Sequence, residues 1–316
     1  MIKDNYLYNI EYNYINELIP QAESVYIYGY STEERSHCVD DLKNIFSANV
    51  TFIQIEESGK DRFRDLNSTI EYNLRSSSSI LQFFELYKTT CIYLDVTGLN
   101  NRISASLLKN AFELKNSFIS PEIRVIYVEP ETYTIARFKA EGVLNDLSEQ
   151  IDGIEPLPGF ASIIPGDSED EIFVVLLGFE GGRFTHLIEN IQPQKDTITP
   201  VIGVPGFRLE YPFAAYWGNR RSIKDTEAWR NVKYIGANSI VDIYIYLTSL
   251  LVKNPDKKIK VAPIGTKPHA IGAILFAIKN FDKVELIYDN PIRKTTRTVG
   301  AGKIIECKVC KLLDEK

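Results

Sequence analysis

The sequence predicts an α/β protein with mostly parallel sheets, arranged as two tandem Rossmann-like units. Three observations carry this. Runs rich in β-branched and aromatic residues alternate with helical patterns along the chain, as βα units require. The turns from strand to helix contain glycine. Two of the βα units occur twice in the same order, which implies an internal duplication, with a single larger doubly wound sheet as the alternative.

The first repeated unit begins at Val25-Tyr26-Ile27-Tyr28-Gly29-Tyr30, passes through Glu33-Glu34-Arg35 and enters a helix. Its later counterpart is Phe173 to Phe179, then Glu180-Gly181-Gly182-Arg183, then the helix containing Leu187 to Asn190. Each is a buried strand ending in Gly plus an aromatic, followed by Glu and Arg. The second unit runs from Cys91 to Gly98, through the helix Ile103 to Leu114, to the strand Ile123 to Pro130. It returns as Ile259 to Thr266, the helix Ala270 to Lys279, and Val284 to Pro291. Both copies close on Ile-Tyr-x-x-Pro. Proline, glycine and acidic residues cluster between Leu157 and Asp170, so the expected division is 1–160 and 168–316.

At 316 residues the chain has room for one large domain or two ordinary ones, and with 44% hydrophobic and 25% charged residues it is expected to fold as a globular protein. The net charge of −6 argues against bulk binding of duplex nucleic acid and leaves room for a local basic patch. The N-terminus does not read as a signal peptide. Apolar runs such as Ile172 to Leu177 are far shorter than the roughly 20 residues of a membrane helix, so a soluble, cytoplasmic protein without membrane association is expected. Cys38, Cys91, Cys307 and Cys310 do not resemble a disulfide framework. Cys307 and Cys310 have the C-x-x-C spacing, but no second ligand pair accompanies them and Lys303 to Val309 alternates like a terminal strand, so no metal site is expected.

Ligands of open parallel sheets bind at the carboxyl ends of the strands, where loops converge and helix N-termini present N–H groups. The most informative loop there is Gly265-Thr266-Lys267-Pro268-His269: glycine lets a ligand approach the backbone, threonine offers a hydroxyl, lysine a cation, and proline suits a first helical turn. It describes an anion site without Walker spacing; a tight turn with a solvated lysine is the alternative. The matching first-half loop places Asp95, Thr97, Gly98 and Asn100 at the equivalent edge, Asp95 being either a functional carboxylate or a turn cap. Gly178 to Arg183 resembles a phosphate loop but lacks G-x-G-x-x-G, and Arg183 either binds phosphate or pairs with Glu180. Trp217-Gly218-Asn219-Arg220-Arg221 combines an aromatic with cations able to stack a base and hold a phosphate, and the basic segment Arg293, Lys294, Arg297 and Lys303 reads as a lid or a solvated hairpin. The histidines are His37, His186 and His269, and no serine-hydrolase elbow or zinc-protease helix is present.

The strand, Gly265-Thr266-Lys267 and small-residue helix resemble the motif of CRISPR-associated Rossmann-fold (CARF-like) sensor domains, over short segments only. The resemblance implies ligand contacts at Thr266 and Lys267 and at Thr97, Gly98 and Asn100, with Asn100 standing where such domains would carry lysine. The leading expectation is a nucleotide-binding or nucleotide-sensing protein of bacterial defence or regulation, with a phosphorylated nucleoside held between two Rossmann-like halves. Candidate ligand contacts are Thr97, Gly98, Asn100, Gly178, Arg183, Gly265, Thr266, Lys267 and His269. The rival is an enzyme acting on a nucleotide or phosphoester, with Asp95 or Glu180 as acid/base; a third reading is a non-catalytic interaction subunit. Cofactor identity is left open, as is a protein partner or homodimer.

Overall fold

The structure, a computed structural model, describes residues 8–115, 121–134, 147–162, 171–295 and 297–314. The chain divides into two compact units: a terminal unit of Ile2–Tyr133 with Thr298–Lys316, and an inserted unit of Thr134–Arg297.

The terminal unit opens with β1 (Asn9–Tyr12), β2 (Ser24–Tyr28), α1 (Val39–Phe46), β3 (Val50–Glu57), β4 (Arg62–Asp65) and β5 (Glu71–Asn73). It continues with α2 (Ser77–Leu86), β6 (Cys91–Asp95), α3 (Asn101–Lys115), β7 (Glu122–Val128) and the short β8 (Thr132–Tyr133). The inserted unit follows: β9 (Ser148–Ile151), β10 (Glu155–Pro156), β11 (Glu171–Leu176), α4 (Gly181–Ile191), β12 (Ile198–Gly203) and α5 (Tyr211–Asp225). Its remaining elements are β13 (Lys233–Ile235), α6 (Ile240–Lys253), β14 (Lys258–Pro263), α7 (Lys267–Lys279), β15 (Val284–Tyr288) and β16 (Pro291–Arg293). The chain then returns to the terminal unit as β17 (Thr298–Val299), β18 (Ile304–Lys308) and α8 (Val309–Asp314).

Each unit is organised by a parallel sheet. In the terminal unit the order is β1-β18-β7-β6-β2-β3-β4-β5, with β7, β6, β2 and β3 mutually parallel and the outer strands antiparallel. In the inserted unit the order is β10-β15-β14-β11-β12-β13, parallel except for β10. The first parallel strand of each unit, β2 or β11, lies inside its sheet with its successor on one side. The chain later crosses to the other side, so a topological switch point falls between β2 and β6 and between β11 and β14. The strand sequences explain this placement. All five residues of β2 and of β6 are buried, as are the last five of β11, and the apolar runs Val25–Tyr28, Cys91–Leu94 and Ile172–Leu176 suit strands covered on both faces.

The four strands β3-β2-β6-β7 and β12-β11-β14-β15 therefore share order, direction and connection, as the duplicated segments predict. The units differ between their first and last crossovers. The terminal unit folds β4 and β5 back as antiparallel strands where the inserted unit adds α5 and the parallel β13.

The unit boundary differs from the expected one, whose stretch 163–170 lies outside the described residues. The second unit begins before residue 160 and does not extend to the C-terminus. In the inserted unit the outer edge of β15 is taken by β10. The alternating strand at Ile304–Lys308 instead pairs antiparallel with β7. The basic segment before it does not close on itself as a hairpin, because β16 pairs with β9 and β17 with β8. Cys307 is buried in β18 and Cys310 in α8, where the Cys310 Sγ accepts the Ile123 N–H at 3.2 Å.

Candidate functional site

The glycines at the switch points are used for contact between backbones. A Cβ on Gly98 would lie 1.8 Å from the Gly29 carbonyl oxygen, so in the terminal unit the turns after β2 and β6 touch directly. In the inserted unit a Cβ on Gly265 would lie 2.6 Å from the Leu177 carbonyl oxygen, and one on Gly178 would lie 3.0 Å from that of Ile264. Gly181 and Gly218 bring α4 against α5 in the same way, with 1.8 Å between a Gly181 Cβ and the Gly218 carbonyl oxygen. Close approach is what glycine permits, and here the approaching group is another backbone segment.

The two Glu–Arg motifs are also internal. Arg183 is 2% exposed; its Nε and Nη2 donate to Asp289 at 2.7 and 2.5 Å, and its Nη1 donates to the Ile264 carbonyl at 2.8 Å. Its guanidinium lies 5.9 Å from the Tyr288 ring centroid and 3.7 Å from Glu180. Arg35, 3% exposed, repeats the pattern in the terminal unit: it donates to Glu33 at 2.9 Å and to the Val128 carbonyl at 2.6 Å, and sits 5.3 Å from the Tyr127 ring. Each unit thus carries a buried arginine behind its first parallel strand, β2 or β11, that packs on the tyrosine of Ile-Tyr-x-x-Pro in its last parallel strand, β7 or β15. Burial alone would raise the Asp289 pKa, but Arg183 holds it below the ordinary carboxylate value; reciprocally, Asp289 outweighs burial and raises that of Arg183. Arg183 is consequently committed to this pair rather than turned toward a ligand.

The carboxylates considered as acid/base groups are likewise engaged. Glu180, 5% exposed, accepts the backbone N–H groups of Leu147 and Ser148 and the Ser148 hydroxyl, at 3.2, 2.8 and 3.0 Å, and has Arg293 at 3.7 Å. It fills the N-terminal end of α4 with negative charge, where a dinucleotide fold would seat a pyrophosphate. Asp95, 4% exposed, accepts the Tyr26 hydroxyl at 3.1 Å and the Thr97 N–H at 2.9 Å. Burial, then the adjacent Asp95, pushes the Tyr26 phenol well up. Thr97 turns its hydroxyl inward to accept the Val128 N–H at 2.9 Å, and Asn100 caps α3 by accepting the Ile103 N–H at 2.8 Å.

At the equivalent turn of the inserted unit, Thr266 caps α7. Its hydroxyl accepts the His269 N–H at 3.4 Å and donates to the Ala237 carbonyl at 2.7 Å, tying the loop after β14 to the loop after β13. His269 is fully buried with Nε2 2.8 Å from the Gly236 carbonyl oxygen, so that nitrogen carries the proton, while Nδ1 meets no partner among the described residues. Burial pushes the His269 pKa down to about 4, against the Gly236 carbonyl, and the ring is neutral. His269 is a packing and loop-fixing residue in this arrangement. Gly265, Thr266 and Lys267 are half-buried, with Lys267 in the first turn of α7.

Of the predicted residues, the structure therefore gathers Gly178, Gly265, Thr266, Lys267 and His269 at one sheet edge of the inserted unit, and Thr97, Gly98 and Asn100 at the corresponding edge of the terminal unit. A cavity of about 460 Å³ in the terminal unit went unanticipated. Its lining includes Asn13, Tyr14, Asn16, Cys38, Asp41 and Asn44, and no Lys or Arg. No spacing in the sequence joins these residues, which meet only because α1 packs beside the turns near residues 15 and 302. Among the described residues, no cluster of His, Cys, Asp and Glu could hold a metal, and no helix is long and apolar enough to cross a membrane.

No family model and no curated protein matches the chain. Among solved structures, a solute-binding protein of an ABC transporter from Burkholderia multivorans is 11% identical, covering 84% of this chain and 78% of its own, with a TM-score of 0.25. A GDP-L-fucose synthetase from Naegleria fowleri bound to NADP is 9% identical, covering 90% and 86%, with a TM-score of 0.23. Likeness at this level carries no conclusion about a ligand.

Proposed function

We propose that the inserted unit binds a small phosphorylated ligand, a phosphorylated nucleoside in the first instance, at the carboxyl end of β14 where α7 begins. The carrying observation is the half-buried Lys267 in the first turn of a helix that starts beside the switch point between β11 and β14. Thr266 fixes that turn to the loop after β13, so the positive end of the helix and the lysine are held in place. The neighbouring turn after β11 is closed to phosphate by Glu180. The terminal unit has Asn100 as the cap where the inserted unit has Thr266 followed by lysine, which supports an asymmetric pair of edges with the anion on the inserted unit. Binding without turnover fits a sensor, and the buried, engaged Asp95 and Glu180 favour this over acid/base catalysis.

The test is to incubate the full chain with a mixed nucleotide pool and identify retained and released species by mass spectrometry. Unchanged nucleotide retained by the wild type and lost in Lys267→Ala is the expected result. Altered nucleotide would replace the sensor reading with catalysis, and equal retention by Lys267→Ala would remove this turn from the site.

A further inference from the structure

The cavity of about 460 Å³ in the terminal unit is walled by three segments, each fixed by the chain itself. The turn at residues 13–16 is closed by Glu17, whose Oε2 accepts the Asn13 N–H at 2.8 Å and the Tyr14 N–H at 3.4 Å. The segment at Gly302 is tied down by its N–H, which donates to the Glu129 carbonyl at 2.7 Å. The start of α1, with Cys38 before it, forms the third wall. The volume lies within the roughly 300–1,000 Å³ of small-molecule sites.

Two kinds of surface meet in the lining. Ile15 and Ile304 supply buried apolar area, and Tyr14 offers a ring that is 70% exposed. The side chains of Asn13, Asn16, Asp41 and Asn44 form no hydrogen bond or ion pair among the described residues. Three carboxamides thus present both donors and acceptors into one concavity, and the carboxylate adds acceptors. Charge plays little part. An anion would find no Lys or Arg, and the carboxylate of Asp41 stands in the first turn of α1, where the positive end of the helix offsets it. We propose that this cavity binds an uncharged, polyhydroxylated ligand of monosaccharide size, its hydroxyls on the three asparagines and Asp41 and its C–H face on the Tyr14 ring. Vicinal hydroxyls donate and accept together, as carboxamides do, and the polarised C–H face of a sugar is drawn to the negative face of an aromatic ring. This site is distinct from the Lys267 turn, which lies in the inserted unit.

Cys38 reports on the cavity directly. It lines the cavity and is half-buried, whereas Cys91, Cys307 and Cys310 are buried. N-ethylmaleimide should therefore add once to the native full chain and not to Cys38→Ser. Burial pushes the Cys38 thiol up to about 11, so labelling at neutral pH is slow enough to follow by intact mass spectrometry. The probes are neutral pentoses, hexoses and hexitols at about 10 mM, where a member bound with a Kd of about 1 mM slows labelling about tenfold. Calorimetric titration with the same compounds detects one that binds without shielding Cys38. Asn16→Ala and Asn44→Ala, both at exposed positions, should each remove most of the protection and the heat with Tm unchanged, and Lys267→Ala should remove neither. Neither protection nor heat from any of these compounds overturns the proposal. Binding that survives both asparagine variants, or equal protection by inorganic phosphate, overturns it as well.

Discussion

Acidification should destabilise the inserted unit through His269. The folded ring titrates at about 4 and the unfolded one near 6.5, so the unfolded chain binds more protons between these values. Stability contributed by the neutral ring is complete above the unfolded value and is lost as pH falls toward the folded one. From about pH 7.5 to pH 5 the loss works out at about 2 kcal/mol, and it approaches about 3 kcal/mol near pH 4. The carboxylate pairs of Asp289 and Asp61 are held below 3.8 and contribute to acid sensitivity lower in the pH range. Both tryptophans, Trp217 and Trp229, lie in the inserted unit, so urea unfolding followed by tryptophan fluorescence reports that unit. In His269→Gln the side-chain amide can still donate to the Gly236 carbonyl but does not titrate. Its stability should change between pH 7.5 and 5 by about 2 kcal/mol less than that of the wild type. An equal pH dependence in the two proteins would refute a buried, neutral His269.

Removing Asp289 leaves Arg183 charged and fully enclosed, so Asp289→Ala should cost about 3–5 kcal/mol in the same unfolding assay. Gly181→Ala should cost about 3 kcal/mol or more, since its Cβ would meet backbone on α5, whereas Gly236→Ala, whose nearest contact is the Asp242 Oδ2 at 3.4 Å, should cost under about 1 kcal/mol. Thr266→Val loses the cap of α7 and a donor to Ala237; about 1–2 kcal/mol is expected by thermal or urea unfolding.

Elements whose burial repeats with a short period were legible in the sequence. The runs Val25 to Tyr28 and Phe173 to Leu177 are apolar at every position because both faces of a parallel strand are covered, and no tertiary information is needed to see it. The partner of a strand is a different matter. Ile304 to Lys308 reads as alternating, yet Ile304 through Cys307 are all buried, Glu306 being met by Tyr12 and Arg124, and the pattern does not say whether the strand joins β15 or β7. Gly265 reads in the sequence as a position where a ligand approaches the backbone, and Gly98 as its counterpart in the matching loop. Which group approaches is a tertiary fact, and here it is the Leu177 or Gly29 carbonyl. Asn100, by contrast, is a cap for a local reason: its side chain reaches an N–H three residues ahead.

The repeated Glu–Arg and Ile-Tyr segments are best explained together. Separately each resembles ligand chemistry, because an arginine beside glycines at a strand end is what a phosphate site needs. In both units the arginine instead stacks on the tyrosine and donates to a main-chain carbonyl at the end of a strand, Val128 or Ile264. A buried guanidinium is tolerated only where its charge and donors are met, so the two distant segments are constrained as a pair. The nearest acid differs between the units: Arg35 pairs with Glu33 two residues before it, whereas Arg183 pairs with Asp289, the residue directly after β15, and has Glu180 at 3.7 Å. The paired motif therefore belongs to the scaffold that both units share, and the chemistry that distinguishes them lies one turn further along, where Thr266 and Lys267 of the inserted unit replace Asn100 and Asn101 at the start of the corresponding helix.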